Sequence, residues 1–146
     1  MQALIDFLRL CRAHWCLGCA AFGAVLVARI ALLILPFRIL QRMSEKPQRV
    51  GTLELNRNIP RRSRVAFAVR TASHLVPGAT CLSQALAAQA LLRLRGDSVN
   101  LCLGAARSDQ GTFEAHAWLE ADGTIVIGDL PDLDRYQRFA LPITNR

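Results

Sequence analysis

From Trp15 to Phe37 every position is apolar or small except Arg29. This is long enough to cross a bilayer as a helix. A central Arg costs roughly 2.5–3.5 kcal/mol on insertion, and each Leu, Ile, Phe or Val returns about 0.3–0.6. The many large apolar residues of the run bring that sum near balance. Arginines flank both ends (Arg9 and Arg12; Arg38 and Arg42), so charge sets no orientation. A secretory signal is disfavoured: the run is long, Pro36 and Arg38 follow it, and no small-residue cleavage site is present. The expectation is an apolar helical segment over 1–40, packed on the domain or a partner, with association with a membrane surface as the alternative.

Residues 41–59 read as a polar, Arg-rich linker containing Pro47 and Gly51. A domain over 60–146 follows. Its first helix starts near Pro60, a residue suited to a first helical turn. Val65, Ala68, Val69, Ala72, Leu75 and Val76 keep helical spacing, and Val76-Pro77-Gly78 ends it. A second helix is predicted from Cys81 to Arg95, with Thr80 as N-cap and Gly96 as stop. Val99-Asn-Leu-Cys-Leu alternates as a strand, and Ser108-Asp-Gln-Gly111 is a turn. In AHAWLEADGTIVIGD, residues 115–129, Asp122-Gly123 signals a two-residue hairpin. That turn makes paired residues sum to 245 and sets His116 opposite Asp129. Trp118 and Ile127 are expected beside them on the same face.

Charge divides the chain. Residues 1–70 hold twelve Arg or Lys against three acids, a balance of +9; residues 71–146 hold six Arg against eight acids, a balance of −2. The aromatics of the basic half lie mostly in apolar runs, unlike a stacking surface for bases, so no nucleic-acid partner is expected. An anionic membrane surface or an acidic peptide suits that half better. Five cysteines at irregular spacing point away from a disulfide framework and toward a reducing compartment. A cytoplasmic protein, with association with the inner membrane left open, is the expectation.

Three cysteines and a histidine crowd CRAHWCLGC, residues 11–19. On a helix they point to separate faces and cannot converge tetrahedrally on one metal. They read as packing residues, and no metal or cofactor is expected. Cys81 is different. In a first helical turn, free N–H groups and the helix dipole favour a thiolate. With His116 and Asp129 it makes a nucleophile, a base and an orienter. Each also has a structural reading: a packed thiol, a satisfied core histidine, a solvated strand end. Cys102 reads as a strand residue.

VPGATCLSQALAAQALLRLRG and FEAHAWLEADGTIVIG together resemble the lasso peptide maturation proteases, the transglutaminase-like B proteins of lasso peptide biosynthesis. Cys81-Leu82 after Pro77-Gly78, Arg95-Gly96, and Ala115-His116-Ala117-Trp118 before Asp122-Gly123 carry the likeness. ARIALLILPF, residues 28–37, resembles the stretch upstream of that family's catalytic region. The resemblance implies an α+β fold with a papain/transglutaminase-like core, its nucleophile helix packed on an antiparallel sheet. It implies Cys81 as nucleophile, His116 as base and Asp129 as third member, with Asp122 the competing acid. The implied activity is removal of the leader from a ribosomally made precursor peptide. An asparagine-synthetase-like partner cyclase then closes the macrolactam with ATP. The length ahead of the domain implies a split form served by a separate leader-recognition protein. Papain-like enzymes add an upstream Gln to the oxyanion hole, and residues 70–80 contain none. Acyl transfer on the same residues, and a non-catalytic peptide or membrane scaffold, are the competing readings.

Overall fold

The computed structural model describes residues 2–34, 59–108 and 110–139, with side chains from Leu17 in the first stretch and Arg61 in the second. Most of the linker reading lies outside these residues. The described elements run α1 (Gln2–Ile34), α2 (Ile59–Ser73), α3 (Cys81–Arg93), β1 (Asn100–Arg107), β2 (Phe113–Ala121) and β3 (Thr124–Ile127). A short 3-10 turn, Leu133–Arg135, leads into β4 (Gln137–Arg138). The four strands form one sheet in the order β3-β2-β1-β4, with every pairing antiparallel. This is the expected α+β arrangement.

α1 packs on α2 and α3. Ala21, Val25 and Ala28, spaced by one helical turn, are buried with Val65, Val69 and Ala88. The opposite face of α1 stays exposed at Val27, Ile30, Leu33 and Ile34. Leu17–Ile34 is long and apolar enough to cross a membrane, yet its inner stripe belongs to the domain core. A conventional span would strip that stripe from its partners.

α2 ends at Ser73, three residues before the expected stop. The Ser73 hydroxyl donates to the Arg70 carbonyl, and Leu75 and Val76 N–H groups turn back onto Ala72 and Ser73. α3 starts where its cap predicts. The Thr80 hydroxyl accepts from the Ser83 N–H, and the Ser83 hydroxyl accepts from the Thr80 N–H at 2.8 Å, a reciprocal capping box. The helix closes with Asp97 N–H donating to the Leu92 carbonyl and Gly96 N–H to the Arg93 carbonyl. Gly96 has φ +85°, which this Schellman ending requires.

β1 and β2 pair without interruption from Asn100↔Glu120 to Arg107↔Phe113. Asp122 (φ +50°) and Gly123 (φ +74°) form the expected tight turn. The pairs nearest that turn, Ala121↔Thr124 and Glu120↔Ile125, sum to 245 as predicted. The next is Leu119↔Ile127: a bulge at Val126 advances β3 by one residue. Ile127 therefore does not share a face with Trp118. It joins Leu119 in the helical core, where it is buried.

Arg62, on α2, ties three elements together. Its Nε donates to Asp97 at 3.2 Å, just past α3, and its Nη1 to Asp122 at 2.7 Å, in the hairpin turn. The Asp97 side chain is fully buried, and among the described residues its second carboxylate oxygen has no partner. Removing the guanidinium leaves that carboxylate unpaired, so Arg62→Met is expected to destabilise the fold by about 3–5 kcal/mol. Arg62→Met combined with Asp97→Asn should recover part of the loss. Urea denaturation of the three chains checks this; equal midpoints for wild type and Arg62→Met would contradict it.

Candidate active site

Cys81 opens α3, directly after the capping Thr80. The first N–H groups of a helix have no intrahelical acceptor. Among the described residues neither the Cys81 N–H nor its thiol forms a hydrogen bond. The thiol is half-buried, so a reagent can reach it.

His116 lies on β2 opposite Gly104. Alternation puts His116, Trp118 and Glu120 on one face of β2 and Ala117, Leu119 and Ala121 on the other. Leu119 and Ala121 belong to the helical core, so the imidazole leaves the sheet on the face away from it. Nε2 lies 2.7 Å from the Gly128 carbonyl oxygen. A carbonyl only accepts, so Nε2 carries the proton and Nδ1 of the neutral ring holds the free lone pair. Trp118 stacks on the imidazole with ring centres 6.1 Å apart, and Tyr136 tilts against it at 5.6 Å. Glycines make this packing fit. A Cβ on Gly104 would lie 3.1 Å from the Trp118 ring and from Tyr136. A Cβ on Gly128 (φ +89°) would lie 2.8 Å from the Ala117 carbonyl oxygen.

The derived contact between His116 and Asp129 is not made. The bulge removes the register it depended on, β3 ends at Ile127, and Asp129 is exposed. The imidazole is oriented instead by the Gly128 carbonyl. Asp122, the competing acid, is held by Arg62. Among the described residues no hydrogen bond joins the Cys81 thiol to His116. The imidazole lies on the sheet face away from the helices; in unliganded enzymes catalytic hydrogen bonds are often long or poorly aligned and tighten with substrate.

Glu120, Arg138 and Cys102 flank the same face. Trp118 Nε1 donates to Glu120 at 2.8 Å, and Arg138 forms a two-pronged pair with that carboxylate while covering the Trp118 ring. Burial acts to raise the Glu120 carboxyl, but the Trp118 and Arg138 hydrogen bonds and the Arg138 charge win and hold it below the usual range. The Cys102 thiol is pushed up to about 11, first by burial, then by the Glu120 charge, with Arg138 opposing. Cys102 is thus a poor nucleophile at neutral pH. The segment from Leu133 to Arg138, for which the sequence suggested no role, supplies Tyr136 and Arg138 to this face.

Of the crowded cysteines, Cys19 is exposed on α1. The helix runs through Cys11, His14 and Cys16, whose side chains lie outside the description. Among the described residues no group of three or more metal-ligating side chains gathers.

The family model described as the transglutaminase-like superfamily matches residues 22–140. No curated protein and no solved structure matches the chain.

Two outcomes follow from this geometry. Burial and the Glu120 charge hold the Cys102 thiol protonated well above neutral pH, so iodoacetamide at pH 9 should leave it largely unmodified. Glu120→Gln removes the repelling charge and frees Arg138, so Cys102 labelling at pH 9 should accelerate; peptide mapping reads both. Gly128→Ala forces a left-handed backbone and a close contact, and should cost about 2–4 kcal/mol in denaturation. An unchanged midpoint would show that the Gly128 loop yields freely.

Proposed function

Since the chain belongs to the transglutaminase-like superfamily, whose fold is that of cysteine peptidases and acyltransferases, we propose that it is a cysteine peptidase. Its proposed task is to cleave the leader from a ribosomally made lasso precursor peptide. The observation that carries this reading is Cys81 at the start of α3, with an accessible thiol and an unoccupied N–H beside it.

In the proposed reaction His116, proton on Nε2, accepts the Cys81 proton at Nδ1. The thiolate attacks the scissile carbonyl carbon, and the Cys81 N–H donates to the developing oxyanion. Collapse breaks the C–N bond, and the imidazolium protonates the leaving amine. Water, deprotonated by His116, then hydrolyses the thioester and frees the leader as an acid. The Gly128 carbonyl supports the imidazolium; Asp129, one residue on, is the proposed third member. In the described conformation the His116 ring lies on the sheet face away from the helices, so the proposed proton transfer needs substrate binding to bring the start of α3 and the imidazole together. The leader-recognition protein and the ATP-using cyclase are proposed partners, the latter taking the freed amine. Acyl transfer uses the same thioester with an amine in place of water.

The test is alkylation of the native chain across pH 5–9 with all five cysteines mapped. Cys81 should react fastest toward the acid end, and His116→Ala should remove that advantage by tenfold or more (order of magnitude for a lost general base). With precursor and partner proteins, Cys81→Ala should abolish processing. The product mass separates a free leader acid from a new amide. Intact processing by Cys81→Ala would mean that the domain works as a scaffold.

A further inference from the structure

Arg29 is the single charged residue in Leu17–Ile34. It follows Val25 by one turn, so it extends the buried stripe of α1 toward the loop that precedes α3. Its guanidinium lies against Gly78: a Cβ there would come within 2.8 Å of Nη2, 3.2 Å of Nε and 3.3 Å of Cζ. Gly78 has φ +71°, so this glycine serves both the backbone turn and the approach of the cation. Arg29 is half-buried, and among the described residues it forms no ion pair and no hydrogen bond. A guanidinium carries five donors and is rarely left unanswered when partly removed from water. The flanking Pro77, Gly78 and Thr80 are exposed, so the site is open to a ligand.

Gly78 stands three residues before Cys81. Three trans peptides span at most about 11 Å between Cα atoms. An extended peptide covers that distance in about three residues. We propose that Arg29 reads an acidic side chain of the substrate peptide, placed within about three residues of the bond that Cys81 attacks. This deepens the peptidase reading and rests on it. A planar fork matches a carboxylate bidentately, which a neutral side chain cannot answer.

The test needs no known substrate. Iodoacetate and iodoacetamide alkylate the same thiol and differ in charge. Their rate ratio at Cys81, read by peptide mapping in the full-length chain at low salt, reports a nearby cation. Arg29→Gln should lower the iodoacetate-to-iodoacetamide ratio roughly three- to tenfold, and Arg29→Lys should restore most of it. Raising salt should erase the wild-type preference. The ratio at exposed Cys19 is the internal control. A ratio unchanged in Arg29→Gln while Cys81 still reacts overturns this inference and leaves the peptidase reading standing. Cys81 inert to both reagents in the wild type overturns the peptidase reading and this inference together.

Discussion

One guanidinium joins three separate parts of this fold through charged hydrogen bonds. Arg62 reaches from α2 to Asp97 at the end of α3 and to Asp122 in the hairpin turn. Hydrophobic contact between α2, α3 and the sheet is non-directional and would tolerate sliding. A buried ion pair does not tolerate it, because a small displacement leaves a charged group unmatched in a poor solvent. The pair fixes where the sheet lies under α3, and thus where β2 carries His116 relative to the helix that begins with Cys81. Asp97 sits at the residue after Gly96, so the Schellman ending of α3 presents the carboxylate to Arg62.

Around His116 the ordering force is packing against glycine. Gly104 leaves room for the Trp118 ring and Tyr136, and Gly128 leaves room for the β2 backbone. The Gly128 carbonyl can then approach the imidazole and determine which nitrogen holds the proton. The bulge at Val126 is the means. It sends Ile127 into the helical core and frees the chain to bend at Gly128. Burial of one isoleucine and orientation of one histidine are therefore two results of a single extra residue.

α1 contributes to both halves of the molecule. Its inner stripe completes the core, and Arg29 projects from the same stripe to the loop before Cys81. The apolar outer face is what made the segment resemble a membrane span by composition. Arg29, costly in a bilayer, fits instead against a backbone turn. Two cysteines separate in the same way: Cys81 is accessible at a helix start, and Cys102 is held protonated by burial and Glu120.

Features governed by a few neighbouring residues were legible in the sequence. The Thr80 cap, Cys81 in the first turn of its helix, the Gly96 stop, the Asp122-Gly123 hairpin and the β1–β2 alternation each follow from torsional preference or period over a handful of positions. The α+β class, implied by the family resemblance, is the one the sheet and helices form. What the tertiary structure alone decided involves partners far apart in the chain: Asp97 and Asp122 for Arg62, the Gly128 carbonyl for His116, Gly78 for Arg29, and Tyr136 over the His116 face. A two-residue turn sets register only until a bulge intervenes. Whether a bulge forms depends on which face must bury Ile127, and that is settled by the helices packed across the sheet, not by the hairpin itself.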